Sequence, residues 1–234
     1  MSLTIKPIST KKDDNFNIPS FLPQPPFRMV VVAPSNSGKT TLINNMLSKP
    51  TFHYKQLFKK NIFLFSPSSS YDEALDTLKI KEENIRPNLD EEFIDSIIED
   101  QKEIIQEHGK KEAPHLLFLF DDIVLQVKKT NDNALKRIFY YGRKYKISCI
   151  ITTQKYKSLP TDYRLNASNY IYFLNTNGKE KNTICDDQPI EKSDFMKIWE
   201  LAKEEGKYSF IYVNTKDGSK NQYYINFTKH IIIK

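Results

Sequence analysis

Two spacings of apolar residues alternate along this chain, short unbroken runs and one-sided helical repeats, and their alternation predicts an α/β fold. The runs are Phe27-Arg28-Met29-Val30-Val31-Val32, Asn61 to Phe65, Leu116 to Phe120, Ile147 to Thr152 and Asn169 to Leu174. Strands with so little polar alternation are expected in a mostly parallel central sheet, buried on both faces. Helical patterns flank them. One starts at the loop after the first strand and stops near Lys49-Pro50. A second follows an Asp90 cap, with Phe93, Ile94, Ile97, Ile98, Ile104 and Ile105 on one face. A third spans about Asp132 to Lys144, with Leu135, Ile138 and Phe139 inward, and a fourth Ser193 to Glu204. Tyr208 to Val213 and Gln222 to Phe227 are expected to close a C-terminal β-hairpin around Asp217-Gly218. Tyr71 to Asn88, charged and carrying Pro87, reads as a short helix plus irregular chain. Residues 1–26 hold Pro7, Pro19, Pro23, Pro25 and Pro26, which discourage regular structure. They read as an extended arm that lies on its own domain, clasps a neighbour or stays loose, and 27–234 as one domain.

The first strand runs directly into Ala33-Pro34-Ser35-Asn36-Ser37-Gly38-Lys39-Thr40, with Thr41 following. The spacing is that of the phosphate-binding loop G-x-x-x-x-G-K-[ST], with Ala33 in place of the first glycine. In such a loop, backbone N–H groups and the positive end of the next helix cradle phosphate. Lys39 would give a point charge to the β- and γ-phosphates, and the Thr40 hydroxyl would coordinate Mg²⁺. The run Leu116 to Phe120 ends in Asp121-Asp122, placing two carboxylates at a strand's C-terminal edge, where open α/β sheets bind ligands. Beside a phosphate loop, Asp121 would hold Mg²⁺ and Asp122 would orient or deprotonate the attacking water. Two acids there can also simply cap a turn. Gln154, at the tip of the next strand, is placed to sense the γ-phosphate; alone it is a weak signal.

Composition narrows this picture. With 39% hydrophobic and 12% aromatic residues in 234, the chain can bury a core, and 27% charged residues solvate its surface. The net charge of +6 is unevenly spread. Between Asp72 and Glu112 fourteen acids face six lysines or arginines, whereas Lys128, Lys129, Lys136, Arg137, Arg143, Lys144, Lys146, Lys155 and Lys157 meet one acid, Asp132. A basic stretch of this kind suits a polyanion or an acidic face of another subunit, and two solvated faces would read the same way. Cys149 lies in an apolar run and Cys185 in a polar neighbourhood, so a reducing compartment is expected. No signal-peptide pattern and no run of membrane-spanning length is present.

The room between Lys39 and Asp121 allows an additional strand between the loop strand and the Asp-Asp strand, as in RecA-like additional-strand P-loop ATPases, and no guanine-reading Asn-Lys-x-Asp occurs. The ordered segments A-P-S-N-S-G-K-T, L-F-L-F-D-D, Y-Y-G-R-K-Y-K-I-S-C-I-I-T-T-Q and L-P-T-D-Y-R-L-N-A-S-N-Y-I-Y-F resemble the FtsK/HerA superfamily. Within it they resemble the poxvirus-type genome-packaging ATPases of large double-stranded DNA viruses and virophages. The resemblance covers about residues 27 to 175. It implies Lys39 and Thr40 as nucleotide grip, Asp121 as Mg²⁺ ligand, Asp122 as the acid activating water and Gln154 as γ-phosphate sensor. It further implies an ATP-hydrolysing ring of identical subunits that moves duplex DNA, without sequence preference, into a capsid through a capsid or portal component. That activity would sit in the host cytoplasm at the assembly site and in the virion. Asp122 stands where many cellular relatives have glutamate. Arg143 and Arg164 are the candidates for a finger reaching a neighbour's γ-phosphate, with Arg164 preferred because its loop lies at the ligand-binding edge. Alternatives are a small-molecule kinase, which needs an arginine-bearing lid, and a scaffold that binds ATP without turnover.

Overall fold

A computed structural model describes residues 17–67, 77–123, 126, 133–174, 177–216 and 222–233. Among the described residues nine strands form one sheet: β1 (Arg28–Val32), β2 (Ile62–Phe65), β3 (Ile85–Arg86), β4 (Leu116–Phe120), β5 (Ile147–Thr153), β6 (Asn169–Phe173), β7 (Phe210–Asn214), β8 (Tyr223–Ile225) and β9 (Lys229–Ile231), in the order β3-β2-β4-β5-β1-β6-β7-β8-β9. The first six in that order run parallel, and β7, β8 and β9 add on antiparallel. The strand lying between β1 and β4 is β5, which comes later in the chain. The insertion between Lys39 and Asp121 instead supplies β2 and β3, beyond β4. The terminal hairpin is extended by β9, which the sequence pattern did not suggest, and its Asp217-Gly218 turn lies outside the described residues.

Alternate residues of each strand face opposite sides, so the parallel strands feed two cores. Met29, Val31, Leu64, Leu117 and Ile150 pack on one face under α1 (Lys39–Ser48), α2 (Tyr54–Phe58) and the incoming segment with Ile18 and Leu22. Val30, Val32, Phe65, Phe118 and Ile151 pack on the other under α3 (Glu91–His108), α4 (Asn133–Tyr141), the short α5 (Thr161–Asn166), α6 (Gly178–Asp186) and α7 (Lys192–Glu204). Asp90 caps α3 by accepting from Phe93 N at 3.0 Å. Ile94, Ile97 and Ile98 are buried as the periodicity requires, whereas Ile104 and Ile105 are only partly so. The buried place at the next turn is taken by Gln101, whose amide ties Pro114 O and Tyr145 O.

Residues 17–26 are fastened to the domain. Tyr54 and Tyr212 donate their hydroxyls to Pro23 O and Phe21 O, and Gln24 closes a turn onto Pro19 O. Cys149 is buried and its thiol is pushed up to about 12 by burial. Cys185, polar in its sequence neighbourhood, is buried as well, 3.8 Å from the Met196 sulfur. No described helix is long and apolar enough to cross a membrane.

Candidate active site

The end of β1 hands the chain to the loop at the sheet's C-terminal edge, where Ala33 N donates to Thr153 O of the neighbouring β5. Two residues of the loop lie in the left-handed region, Asn36 at φ 60° and Gly38 at φ 94°. Only glycine adopts the second without strain. α1 then starts at Lys39 with no side-chain cap, so the first-turn N–H groups point into the loop. Residues 33–41, with Asp121, Asp122 and Gln154, line a cavity of about 340 Å³. The Ser37 hydroxyl is buried there, with no hydrogen-bond partner among the described residues.

Lys39 Nζ stands 2.8 Å from Asp121 Oδ1 and 2.7 Å from Asp122 Oδ2. Burial pulls the Lys39 pKa down, but the charges and hydrogen bonds of the two acids outweigh it and hold the ammonium above the ordinary lysine value. Asp121 directly follows β4 and is buried. Asp122 turns back at φ 52°, a conformation that costs a non-glycine residue about 1–2 kcal/mol and that aims its carboxylate at Lys39. Gln154 Nε2 donates to Asp122 Oδ2 at 3.2 Å, and Ser35 Oγ meets Gln154 Oε1 at 3.3 Å. The structure thus brings the loop lysine, both acids and Gln154 into one constellation.

Two members were invisible in the sequence. Thr152 Oγ1 donates to Asp121 Oδ1 at 2.7 Å and accepts from Lys39 Nζ and from Asp122 N, each at 3.2 Å, so its one donor and both lone pairs are used. Ser66 Oγ, at the end of β2, reaches Asp121 Oδ2 at 3.3 Å. Both are common polar residues at strand ends, and only the parallel register brings them beside β4. Position directly after or at the end of a buried strand was the one available signal.

The arginine candidates separate. Arg164 is ion-paired with Asp187, bonded to Thr161 Oγ1 at 3.2 Å and packed 4.9 Å from the Tyr156 ring centroid. Against the preference drawn from sequence, it is the less available of the two. Arg143 is exposed, in the turn Gly142–Tyr145 that leads into the start of β5, at the opposite edge of the sheet from the loop. The basic run also disperses. Arg137 pairs with Asp95, inside the acidic stretch, and Lys146 is interior, its ammonium donating to Lys111 O and Ala113 O at 3.0 Å. Lys155 and Lys157 lie at the nucleotide edge, and Lys128 and Lys129 fall outside the described residues.

A parallel sheet with β5 between the loop strand and the Asp-Asp strand, and a lysine facing paired acids at its C-terminal edge, define the additional-strand class of P-loop NTPase folds. The chain belongs to the poxvirus A32 protein family, which matches residues 14–231. It is 29% identical over 150 residues to the DNA packaging protein OPG160 of Variola virus, covering 63% of this chain and 53% of that one. The chain therefore spans about half the length of that relative. Uncharacterized protein 075L of Invertebrate iridescent virus 6 is 24% identical over 230 residues, covering 94% of this chain and 83% of that one. Among solved structures, the genome packaging NTPase B204 of Sulfolobus turreted icosahedral virus 2, in complex with AMPPCP, matches with a TM-score of 0.59 at 16% identity, covering 90% of this chain and 100% of that one.

Proposed function

We propose that this chain is an Mg²⁺-dependent ATPase that drives duplex DNA into a viral capsid as a ring of identical subunits, at the assembly site in the host cytoplasm. The observation that carries the reading is the convergence of Lys39, Asp121 and Asp122 inside a cavity lined by the whole phosphate loop. The names of the poxvirus relatives and of B204 support packaging as the task.

The site fits a hard cation. Its donors, the Thr40 hydroxyl and the Asp121 carboxylate, are oxygens of the kind Mg²⁺ prefers, and a positive charge already stands between the acids as Lys39. When bound there, Mg²⁺ neutralises charge on the β- and γ-phosphates. The chain's own residues do the rest. Lys39 gives up a carboxylate to meet the phosphates, the buried Ser37 hydroxyl gains a partner, and Asp122 holds the attacking water and receives its proton. Gln154 orients Asp122, and Thr152 and Ser66 act as positioning residues for Asp121. Four of the five arginines are committed within the subunit: Arg28 to Phe139 O, Arg86 to Asp90, Arg137 to Asp95 and Arg164 to Asp187. Arg143 is the arginine left for a neighbour's γ-phosphate. The same accounting disfavours a small-molecule kinase, whose lid needs several.

Duplex DNA is proposed to run along the N-terminal edge of the parallel strands. Between Asp14 and Asp72 the sequence has no acid, and this stretch delivers exposed Lys49, Lys55, Lys59 and Lys60 to that edge, joined by Lys79 and Lys111. Lys59 and Gln56 are shared by two adjoining clefts of about 720 and 870 Å³ whose linings, among the described residues, contain no acid. Among the described residues none of these six lysines has an ion-pair partner, whereas Lys81, Lys102, Lys181, Lys192, Lys197 and Lys229 all do. None of the large exposed apolar residues lines either cleft, so the clefts themselves offer charge without a stacking platform, which suits duplex phosphates rather than a single strand. ATP hydrolysis measured with and without duplex DNA tests the motor. Strong stimulation is expected, and hydrolysis indifferent to DNA would return the kinase reading.

A further inference from the structure

Tyr208 is 59% exposed, on the turn between α7 and β7. It nonetheless lies against the phosphate loop: a Cβ built on Gly38 would sit 3.5 Å from Tyr208 Cδ1 and 3.9 Å from Phe173 Cε1. Phe173 is buried and packs the sheet, whereas most of the Tyr208 ring faces solvent. The order of the strands gives this position a meaning. Along β4-β5-β1-β6-β7 the acids stand on the β4 side of the loop, so the terminal phosphate of a bound nucleotide is directed there. The α-phosphate, sugar and base must leave on the other side, over β6 and β7, where Tyr208 stands.

We propose that Tyr208 is the base platform of the nucleotide site, its ring stacking on a purine whose phosphates lie in the loop. The inference rests on the ATP reading above and extends it to the base. Stacking uses the π-face that every base presents, so Tyr208 supplies affinity with little choice between bases. Lys207 Nζ lies 5.2 Å from the ring centroid, and a base on that face takes the place of the ammonium. The hydroxyl has no part in the contact, so phenylalanine serves equally well.

The test compares two probes by calorimetry, ADP and inorganic tripolyphosphate, which has phosphates but no base. Tyr208→Ala should weaken ADP about tenfold or more and leave tripolyphosphate unchanged, while Tyr208→Phe should bind both as the unmodified protein does. Equal ADP affinity in Tyr208→Ala overturns the platform. So does equal weakening of both probes, which would mean that the ring merely props the loop. If the unmodified protein binds neither probe, the phosphate-loop reading fails and takes the platform with it. If it binds both and Tyr208→Ala changes neither, the platform alone fails.

Discussion

The two edges of the parallel sheet handle charge in opposite ways. At the C-terminal edge, one lysine and two acids are packed into a small cavity, cross-linked by Thr152, Ser66 and Gln154, with two residues of the loop and Asp122 held at positive φ. At the N-terminal edge, six lysines stand in water without a carboxylate partner among the described residues. The first arrangement fixes atoms to tenths of an ångström, as chemistry on a single phosphate requires. The second fixes only a sign, which is enough for a polymer of phosphates that slides. The sum of charges along a stretch therefore says little, and whether each charge is already spent within the fold says much.

The severest challenge to this contrast is to make one edge serve the other. If Arg143 of one subunit completes its neighbour's site, Arg143→Ala should lower hydrolysis about 10³- to 10⁵-fold. Mixed with inactive Lys39→Ala chains, it should regain part of it, because some interfaces then pair an intact loop with an intact arginine. Recovery with Arg164→Ala but not with Arg143→Ala would hand the role to Arg164.

Within the nucleotide edge, Asp122→Ala should cut kcat about 10²- to 10⁴-fold while still binding ATP, and Lys39→Ala should bind it poorly. Normal turnover in Asp122→Ala would remove the role given to that acid. At the other edge, changing Lys55, Lys59, Lys60 and Lys111 together to glutamine should flatten the dependence of log DNA affinity on log salt by about 0.9 for each phosphate no longer neutralised. An unchanged slope would move the DNA elsewhere.

Smaller effects probe the wiring. Thr152→Val keeps the shape but strips Asp121, Lys39 and the Asp122 N–H of a shared partner, so melting should report a loss of about 1–3 kcal/mol. The least effect is one of pH. Because the Lys39 pKa is raised in the folded chain, its contribution to stability is fully present below the ordinary lysine pKa and is lost as pH rises through the raised one. The stability gap between the unmodified protein and Lys39→Met should therefore be flat from neutral to mildly alkaline pH and shrink above it. A gap that widens as pH rises through the lysine range would contradict the sign.

Much of this was legible in the sequence, because unbroken apolar runs make buried strands wherever they occur, and β1, β2, β4, β5 and β6 lie where the runs put them. The loop and Asp121-Asp122 were legible because their chemistry demands fixed residue types at fixed spacing. Charges were not. Lys146 and Arg137 belong to a basic stretch on paper, yet one folds inward onto carbonyls and the other onto Asp95, 42 positions away, and Arg164 finds Asp187 in the same way. Such pairings depend on which elements become neighbours in space, and local pattern carries no trace of that. The same holds for Thr152 and Ser66, which matter only through the register of β5 and β2 beside β4.

The sheet's two outermost strands have a consequence for assembly. β3 has two residues and β9 three, and the outermost lysine of β9, Lys229, is drawn back to Glu205 at 3.0 Å. Borders so short offer a second copy almost no backbone to zip onto. In the proposed ring, copies of this chain would meet side chain to side chain, over helices and loops, through touching surfaces that can be let go and remade. If the members of that proposed ring shift against one another at each turnover, a seam of that kind would slip where a continuous sheet would lock.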